Sequence, residues 1–128
     1  RYFSDGPKIF ERLNAESMIL IHVEGVEGLE NLDDIIKVAG LDVIFLGPYD
    51  LSQSLGIPGQ VNDPRVVDRM REAAKQINSV GLTVGTFADG PEAANKWIEA
   101  GVRYIAMSVD TGIYLDGCRR MLGEVKKS

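Results

Sequence analysis

Short apolar runs alternate along this chain with longer stretches in which apolar residues recur at helical spacing. Apolar runs bounded by turn residues are typical of strands that are buried on both faces. The pattern predicts four strands, over residues 18–23, 43–46, 82–87 and 104–109. It predicts helices around them, over residues 7–15, 29–39, 64–80, 91–100 and 113–126, with a helical turn over 51–55. Strands that alternate with helices in this way indicate a parallel sheet with right-handed crossovers.

Turn and cap residues mark the ends of the predicted helices. Asp63 followed by Pro64 is a helix start, with Asp63 as the N-cap. Asp110 is likewise expected to cap the last helix. The helix after Asp63 is expected to bury one side, formed by Val66, Val67, Met70, Ala73, Ala74 and Ile77. No linker or shift in composition divides the 128 residues, so we expect a single domain over residues 1–128.

Two of the predicted strands stop at an acidic residue. Glu24 ends the first, and Asp50 follows the Gly47-Pro48 pair that breaks the second. Neighbouring parallel strands lie about 4.8 Å apart, so carboxylates just beyond the same ends of two strands could converge on one cation. They could equally cap the helices that follow. By the two-residue period of a strand, His22 shares a face with Glu24.

Composition and charge exclude several classes of protein. The net charge is −5 with acidic and basic residues interspersed, whereas nucleic-acid-binding surfaces show clustered Lys and Arg. No apolar run approaches the roughly 20 residues that span a bilayer. The single cysteine, Cys118, cannot form an internal disulfide and fits a reducing cytoplasm; we expect a small packed thiol there and not a nucleophile. The sequence also lacks phosphate-binding glycine loops, Cys/His zinc spacings and a nucleophile elbow.

Several motifs between about Ser17 and about Tyr114 together resemble the HpcH/HpaI aldolase/citrate lyase family. They are Val23-Glu24-Gly25, Asn31-Leu32, Ile35-Ile36, Gly47-Pro48-Tyr49-Asp50-Leu51-Ser52 and Ser54-Leu55-Gly56. The resemblance implies a (β/α)8 barrel, of which a typical example has about 250 residues. The expected fold class is therefore an α/β chain of TIM-barrel type, in which these four βα units are the carboxyl-terminal half. An open, doubly wound sheet also fits four βα units.

The resemblance also implies an activity and a set of site residues. Glu24 and Asp50 would hold a divalent metal, Mg²⁺ or Mn²⁺ with Co²⁺ as a further candidate. The reaction would cleave or form a carbon–carbon bond next to a 2-oxo acid such as pyruvate. Substrate contacts are expected from His22, Gly47, Pro48, Tyr49 and Phe87. His22 stands where relatives commonly carry Gln and could instead be a hydrogen-bonded core residue, Tyr49 stands where they often carry a small residue, and Phe87 could equally belong to the core.

Two parts of the family's machinery have no counterpart in this sequence. The family's general base is a histidine and an arginine binds its oxo acid, both in the first half of the barrel. We therefore assign no catalytic residue to this chain and expect the isolated polypeptide to be inactive. Its expected partners are a 2-oxo acid, a missing amino-terminal half-barrel or another subunit, and further copies of itself in a homo-oligomer.

The expected function is that of a class II aldolase, which cleaves 4-hydroxy-2-oxo acids to pyruvate and an aldehyde. A citrate-lyase-like enzyme acting on acyl-CoA thioesters is a second interpretation, although such relatives usually carry other residues around the second acidic position. A non-catalytic half-barrel module is a third. Metal-dependent stabilisation would separate a metal site from bare structure, and an assay of pyruvate release with the missing half added would separate an enzyme from the module.

Overall fold

The computed structural model describes residue 6 and residues 8–125. Within this range one sheet is formed by the strands β1 (Leu20–Val23), β2 (Val43–Leu46), β3 (Thr83–Ala88) and β4 (Tyr104–Met107). The helices of the same range are α1 (Lys8–Glu16), α2 (Val26–Glu30), α3 (Leu32–Ile35), α4 (Pro48–Ser54), α5 (Pro64–Ser79), α6 (Pro91–Glu99) and α7 (Asp110–Glu124). The predicted alternation of strands and helices is confirmed. None of these described helices has the length and apolar character needed to cross a membrane.

All four strands run parallel, and they follow one another in the sheet in the order of the chain, β1-β2-β3-β4. In a doubly wound sheet the strand order reverses at a switch point, because later strands are added on the other side of the first. Here each strand is added beside the one before it, as in a barrel of βα units. The described residues therefore have the barrel-type arrangement and not the doubly wound one.

The buried core lies on one face of the sheet, between the strands and the helices. Ile44 and Leu46 of β2 pair in register with Val84 and Thr86 of β3, and all four are almost fully buried. The buried hydroxyl of Thr86 donates a hydrogen bond of 2.8 Å to the carbonyl oxygen of Leu46, which satisfies both groups. The predicted apolar side of α5 belongs to this core, with Val67 half-buried and the other members buried: Val66, Met70, Ala73, Ala74 and Ile77.

The opposite face of the sheet carries a row of aromatic rings around a glycine. His22, Phe45, Gly85 and Tyr104 stand at matching positions of β1, β2, β3 and β4. His22 stacks on Phe45 with 4.7 Å between the ring centroids, and Phe45 meets Tyr104 edge to face at 6.2 Å. A Cβ at Gly85 would lie 2.9 Å from Phe45 Cδ2 and 3.1 Å from Tyr104 Cδ1, so the glycine makes room for both rings. In a closed barrel this face would be the interior.

The prediction of one helix over residues 29–39 is wrong. The helical residues begin earlier, at Val26, and form the two short helices α2 and α3 with Asn31 between them. Asn31 has φ −96° and ψ 10°, outside the helical region. Its side-chain amide donates a hydrogen bond of 2.8 Å to the carbonyl oxygen of Glu27, and such bonds to the backbone compete with helix formation.

The last strand and the last helix also differ from the prediction. The strand β4 ends at Met107, since Ser108 has a φ of +58°, which strand residues do not adopt. The helix α7 begins at Asp110, earlier than the predicted residue 113. Its N-cap is Val109, so the prediction that Asp110 caps this helix is wrong. The Asp110 carboxylate instead accepts a hydrogen bond of 2.7 Å from the Thr111 amide within the first turn.

The remaining differences concern the ends of single elements. The helix α4 begins at Pro48 and not at residue 51, because Gly47 and Pro48 form its N-cap and first residue, and β3 begins and ends one residue later than predicted. The strand β1 begins at Leu20 and not at residue 18, because β2 begins only at Val43 and the Ile19 amide bonds the Asp42 carboxylate at 2.7 Å.

The predicted helix start at Pro7 lies outside the described residues. The predicted end of the last helix at residue 126 is wrong, because α7 ends at Glu124 and its C-cap Val125 has an extended backbone.

Candidate active site

A cleft of about 330 Å³ opens at the carboxyl ends of the parallel strands. Glu24 follows β1, Gly47 follows β2 and Asp89 follows β3, so the sheet itself brings the three positions to one edge. Every residue that the sequence predicts for the site lies in the lining, together with Phe45 and Asp89: His22, Glu24, Gly47, Pro48, Tyr49, Asp50 and Phe87. Their roles in binding stay predictions.

Glu24 is held in place from two sides. Its carboxylate oxygen Oε2 lies 3.0 Å from Nδ1 of His22, whose ring is stacked on Phe45. On the other side the backbone of Gly47 approaches so closely that a Cβ there would lie 2.7 Å from Glu24 Cβ and 2.8 Å from Glu24 Oε2. Only glycine permits this approach without a shift of one of the two residues. Glu24 is therefore in direct contact with both His22 and Gly47.

Asp50 is presented by the first turn of α4. Gly47 is the N-cap of this helix and Pro48 its first residue, so the chain turns sharply from the end of β2 into the helix. Two hydrogen bonds fasten α4 to its surroundings: Ser52 Oγ accepts one from the Gly59 amide at 2.9 Å, and Ser54 Oγ accepts one from the amide of Val26 at 3.0 Å. The helix that carries Asp50 is therefore tied both to the loop after it and to α2 beside Glu24.

Tyr49 and Asp89 form a hydrogen-bonded pair in the lining of the cleft. The Tyr49 hydroxyl donates to Asp89 Oδ1 at 2.7 Å, and the Tyr49 ring meets Phe87 edge to face with 5.9 Å between centroids. The hydrogen bond to the Asp89 carboxylate, followed by partial burial and the negative charge of Asp89, raises the pKa of the Tyr49 phenol above its usual value. The phenol therefore keeps its proton across the physiological range.

Phe45 and Asp89 line the cleft without having been predicted for it, and Asp89 is the polar one of the two. A signal for it was present, because an acidic residue directly after the third strand stands where Glu24 stands after the first. Its partner Tyr49 lies 40 positions earlier in the chain, so no local pattern indicates the hydrogen bond.

The oxygen donors of the cleft fit a divalent cation that prefers oxygen ligands. In the part of the chain that the structure describes, no three His, Cys, Asp or Glu side chains are grouped to form a complete metal site. The cleft offers instead the two carboxylates of Glu24 and Asp50. Mg²⁺ and Mn²⁺ are commonly bound by one or two carboxylates, with water and substrate oxygens completing the coordination. Two carboxylates alone would leave coordination positions of such an ion open, unlike the full ligand set of a closed structural site.

The profile of the HpcH/HpaI aldolase/citrate lyase family matches residues 2–117. The chain belongs to this family. A 2-keto-3-deoxy-L-rhamnonate aldolase of Klebsiella pneumoniae is 38% identical over 113 residues, which are 88% of this chain and 42% of that relative. The chain thus spans about two-fifths of the length of the curated relatives that it matches, and it corresponds to their carboxyl-terminal part.

Solved structures of the family show the same arrangement of strands and helices. An HpcH/HpaI aldolase/citrate lyase family protein from Burkholderia cenocepacia superimposes with a TM-score of 0.88 at 32% identity, covering 94% of this chain and 47% of that protein. The citrate synthase SbnG superimposes with a TM-score of 0.78 at 30% identity, covering 96% of this chain and 54% of that protein. The resemblance stated from the motifs is confirmed, and the chain is part of a TIM-type barrel of a family that includes aldolases.

Proposed function

We propose that this chain is the carboxyl-terminal half of a metal-dependent aldolase that cleaves 4-hydroxy-2-oxo acids to pyruvate and an aldehyde. The observation that carries the proposal is the placement of Glu24 and Asp50 in one cleft at the carboxyl ends of parallel strands, in a chain of this family. Active sites of TIM-type barrels lie at that end of the strands. A relative named for 2-keto-3-deoxy-L-rhamnonate, itself a 2-oxo acid, supports the substrate class.

In this proposal Glu24 and Asp50 hold Mg²⁺ or Mn²⁺, with Co²⁺ as a further candidate. When bound, the cation supplies a Lewis acid that stabilises negative charge on the 2-oxo group. His22 fixes the orientation of the Glu24 carboxylate through their 3.0 Å contact. The first backbone amides of a helix have no partner within the helix, so those of α4 after Pro48 are available to the substrate carboxylate.

Cleavage breaks the bond between C3 and C4 of the substrate. The C4 hydroxyl loses its proton as the aldehyde forms, and C3 gains a proton as pyruvate forms. The base for the first proton and the arginine for the oxo acid have no counterpart among the residues of this chain. We therefore propose that four further βα units, on the same polypeptide or on another chain, supply them. The assembly of this chain with those units is called the complete barrel below.

A first experiment tests the metal site. Addition of Mg²⁺ or Mn²⁺ to the complete barrel is expected to raise the thermal unfolding temperature, and about 2.7 kcal/mol of stabilisation corresponds to a metal concentration 100-fold above the dissociation constant. Glu24→Ala and Asp50→Ala should each abolish this increase. Asp68→Ala removes a carboxylate from the outer helix α5 and should leave it unchanged. Equal stabilisation of all four proteins would show that the cation binds elsewhere.

A second experiment tests the reaction. The complete barrel with Mg²⁺ is expected to release pyruvate from a 4-hydroxy-2-oxo acid, and the 128-residue chain alone is expected to release none. Metal binding without pyruvate release would favour a non-catalytic module. Cleavage of acyl-CoA thioesters instead would favour the citrate-lyase-like alternative.

A further inference from the structure

The proposed function assigns no role to the hydrogen-bonded pair of Tyr49 and Asp89. Both residues line the cleft that also contains Glu24 and Asp50. Asp89 additionally lines a neighbouring cleft of about 410 Å³. The two clefts share Pro48, Phe87 and Asp89, so they adjoin at these residues. A substrate whose reacting end lies at Glu24 and Asp50 and whose other end reaches the neighbouring cleft would pass Asp89.

The pair holds one carboxylate in a defined orientation. The Tyr49 ring is set against Phe87, and its hydroxyl donates to Asp89 Oδ1 at 2.7 Å. This bond occupies one carboxylate oxygen and leaves the lone pairs of Oδ2 for another donor. Hydrogen bonds in which the acceptor is ionised are roughly twice as strong as neutral ones, so a hydroxyl group of a ligand would be bound well at Oδ2.

The negative charge of Asp89 affects a substrate differently according to whether that substrate is neutral or anionic. The described lining of the cleft with Glu24 and Asp50 contains the carboxylates of Glu24, Asp50 and Asp89, and no Lys or Arg side chain. The neighbouring cleft adds Lys96 and Glu92, which pair with each other at 3.3 Å and so add no net charge. A divalent cation at Glu24 and Asp50 would balance those two charges, and Asp89 would remain negative. A second carboxylate on the substrate would then meet a like charge, which costs binding energy.

We propose that Asp89, oriented by Tyr49, determines which aldehyde the enzyme accepts. It favours neutral aldehydes that carry hydroxyl groups and disfavours aldehydes that carry a second carboxylate. This inference rests on the proposed function and names the substrate class of the same site. Asp89 contacts the aldehyde half of the substrate, and Tyr49 is a positioning residue that acts through Asp89.

The experiment compares acceptor aldehydes in the direction of carbon–carbon bond formation. The complete barrel with Mg²⁺ and pyruvate is given glyceraldehyde, propanal or succinic semialdehyde, which are a neutral hydroxyaldehyde, a neutral aldehyde without further hydroxyls and an anionic aldehyde. Ratios of kcat/KM between acceptors are taken within each variant, because they do not depend on the fraction of active protein. The variants are Asp89→Asn, Tyr49→Phe and the control Asp68→Asn, which makes the same charge change on α5.

The unchanged protein should prefer glyceraldehyde to propanal by about tenfold or more, the effect of one hydrogen bond to a charged group. It should prefer glyceraldehyde to succinic semialdehyde by about tenfold or more, because the second carboxylate is repelled by Asp89. Asp89→Asn should reduce both preferences by about tenfold. Tyr49→Phe should reduce them less and mainly through KM, and Asp68→Asn should keep them. Acceptor ratios that stay unchanged in Asp89→Asn and Tyr49→Phe would overturn the inference.

One further measurement separates the failure of this inference from failure of the proposed function. Exchange of the pyruvate methyl protons for deuterium needs no aldehyde, so it reports the proposed site alone. Absence of exchange in the unchanged protein overturns the proposed function and the inference with it, whereas exchange with unaltered acceptor ratios overturns only the inference.

Discussion

The position of the Glu24 side chain depends on the small size of its neighbour Gly47. Gly47 has no Cβ, and Glu24 occupies the space that this atom would fill. Glu24 Oε2 consequently reaches the cleft beside Nδ1 of His22. The glycine thus serves two purposes, since it also precedes Pro48 in the turn that leads into α4.

Gly47→Ala is expected to displace the Glu24 carboxylate. The added methyl group would lie within 2.8 Å of Glu24 Cβ and Oε2, and such overpacking costs about 1–3 kcal/mol of unfolding free energy. Affinity for Mg²⁺ should fall by about 10- to 100-fold, as when a supporting contact of a metal ligand is lost. Isothermal titration of the complete barrel with Mg²⁺ checks this. Gly117→Ala meets no atom within 4 Å and serves as the control; equal affinities of the two variants would contradict the expectation.

At the scale of elements, α5 is a helix whose start and N-cap the sequence predicts correctly. Asp63 is its N-cap, and its carboxylate accepts hydrogen bonds from the Arg65 amide and from the Arg65 guanidinium, each at 2.9 Å. The side-chain bond to Arg65, then the backbone bond, hold the pKa of Asp63 at about 2. Because α5 contributes five buried residues to the core, the Asp63 cap that stabilises this helix also stabilises the core.

The Asp63 cap is expected to make the stability depend on pH in a defined window. A carboxyl group whose pKa is lower in the folded state stabilises the protein above its ordinary pKa of 3.8, and this contribution is lost as pH falls through about 2. Asp63→Asn keeps a good N-cap but removes the charge. Urea midpoints of the unchanged protein should exceed those of Asp63→Asn near neutral pH and converge with them near pH 2. A difference that does not vary with pH would contradict the role of the charge.

For the whole molecule, the helices cover only one face of the sheet. In the described residues β1 and β4 are edge strands, and on the other face His22 and Tyr104 are exposed while Phe45 between them is buried. None of the residues of α7, which lies within the described range, is buried. Its exposed apolar side chains are Ile113, Tyr114, Leu115, Met121 and Leu122. Unpaired strand edges and apolar surface of this extent are typical of chains that associate.

The isolated chain is expected to self-associate, because each copy offers two strand edges and an apolar helix surface. Size-exclusion chromatography with light scattering should show species larger than the 14.0 kDa chain. Addition of the other half of the barrel should convert them to a discrete complex. A cooperatively folding monomer at all concentrations would contradict both the expected association and the need for a second half-barrel.

Most of the fold follows from local patterns in the sequence. Apolar runs and helical periodicity predict the four strands and the helix α5, because burial on a sheet or on one helix side is repeated within a few residues. The break at Asn31 was not predictable in this way, since it depends on a hydrogen bond to the Glu27 carbonyl that competes with a sound helical pattern. The exact ends of β4 and α7 depend likewise on the backbone of Ser108 and Val109.

The sequence by itself determined which residues stand at the strand ends, and therefore that Glu24 and Asp50 are candidates for one site. Position along a strand is a local property, and parallel strands carry it to a common edge. Only the tertiary structure decided the order of the strands, the contact of Gly47 with Glu24 and the pairing of Tyr49 with Asp89. These features join residues far apart in the chain, so they depend on the register of the strands and the packing between them, which no stretch of sequence specifies alone.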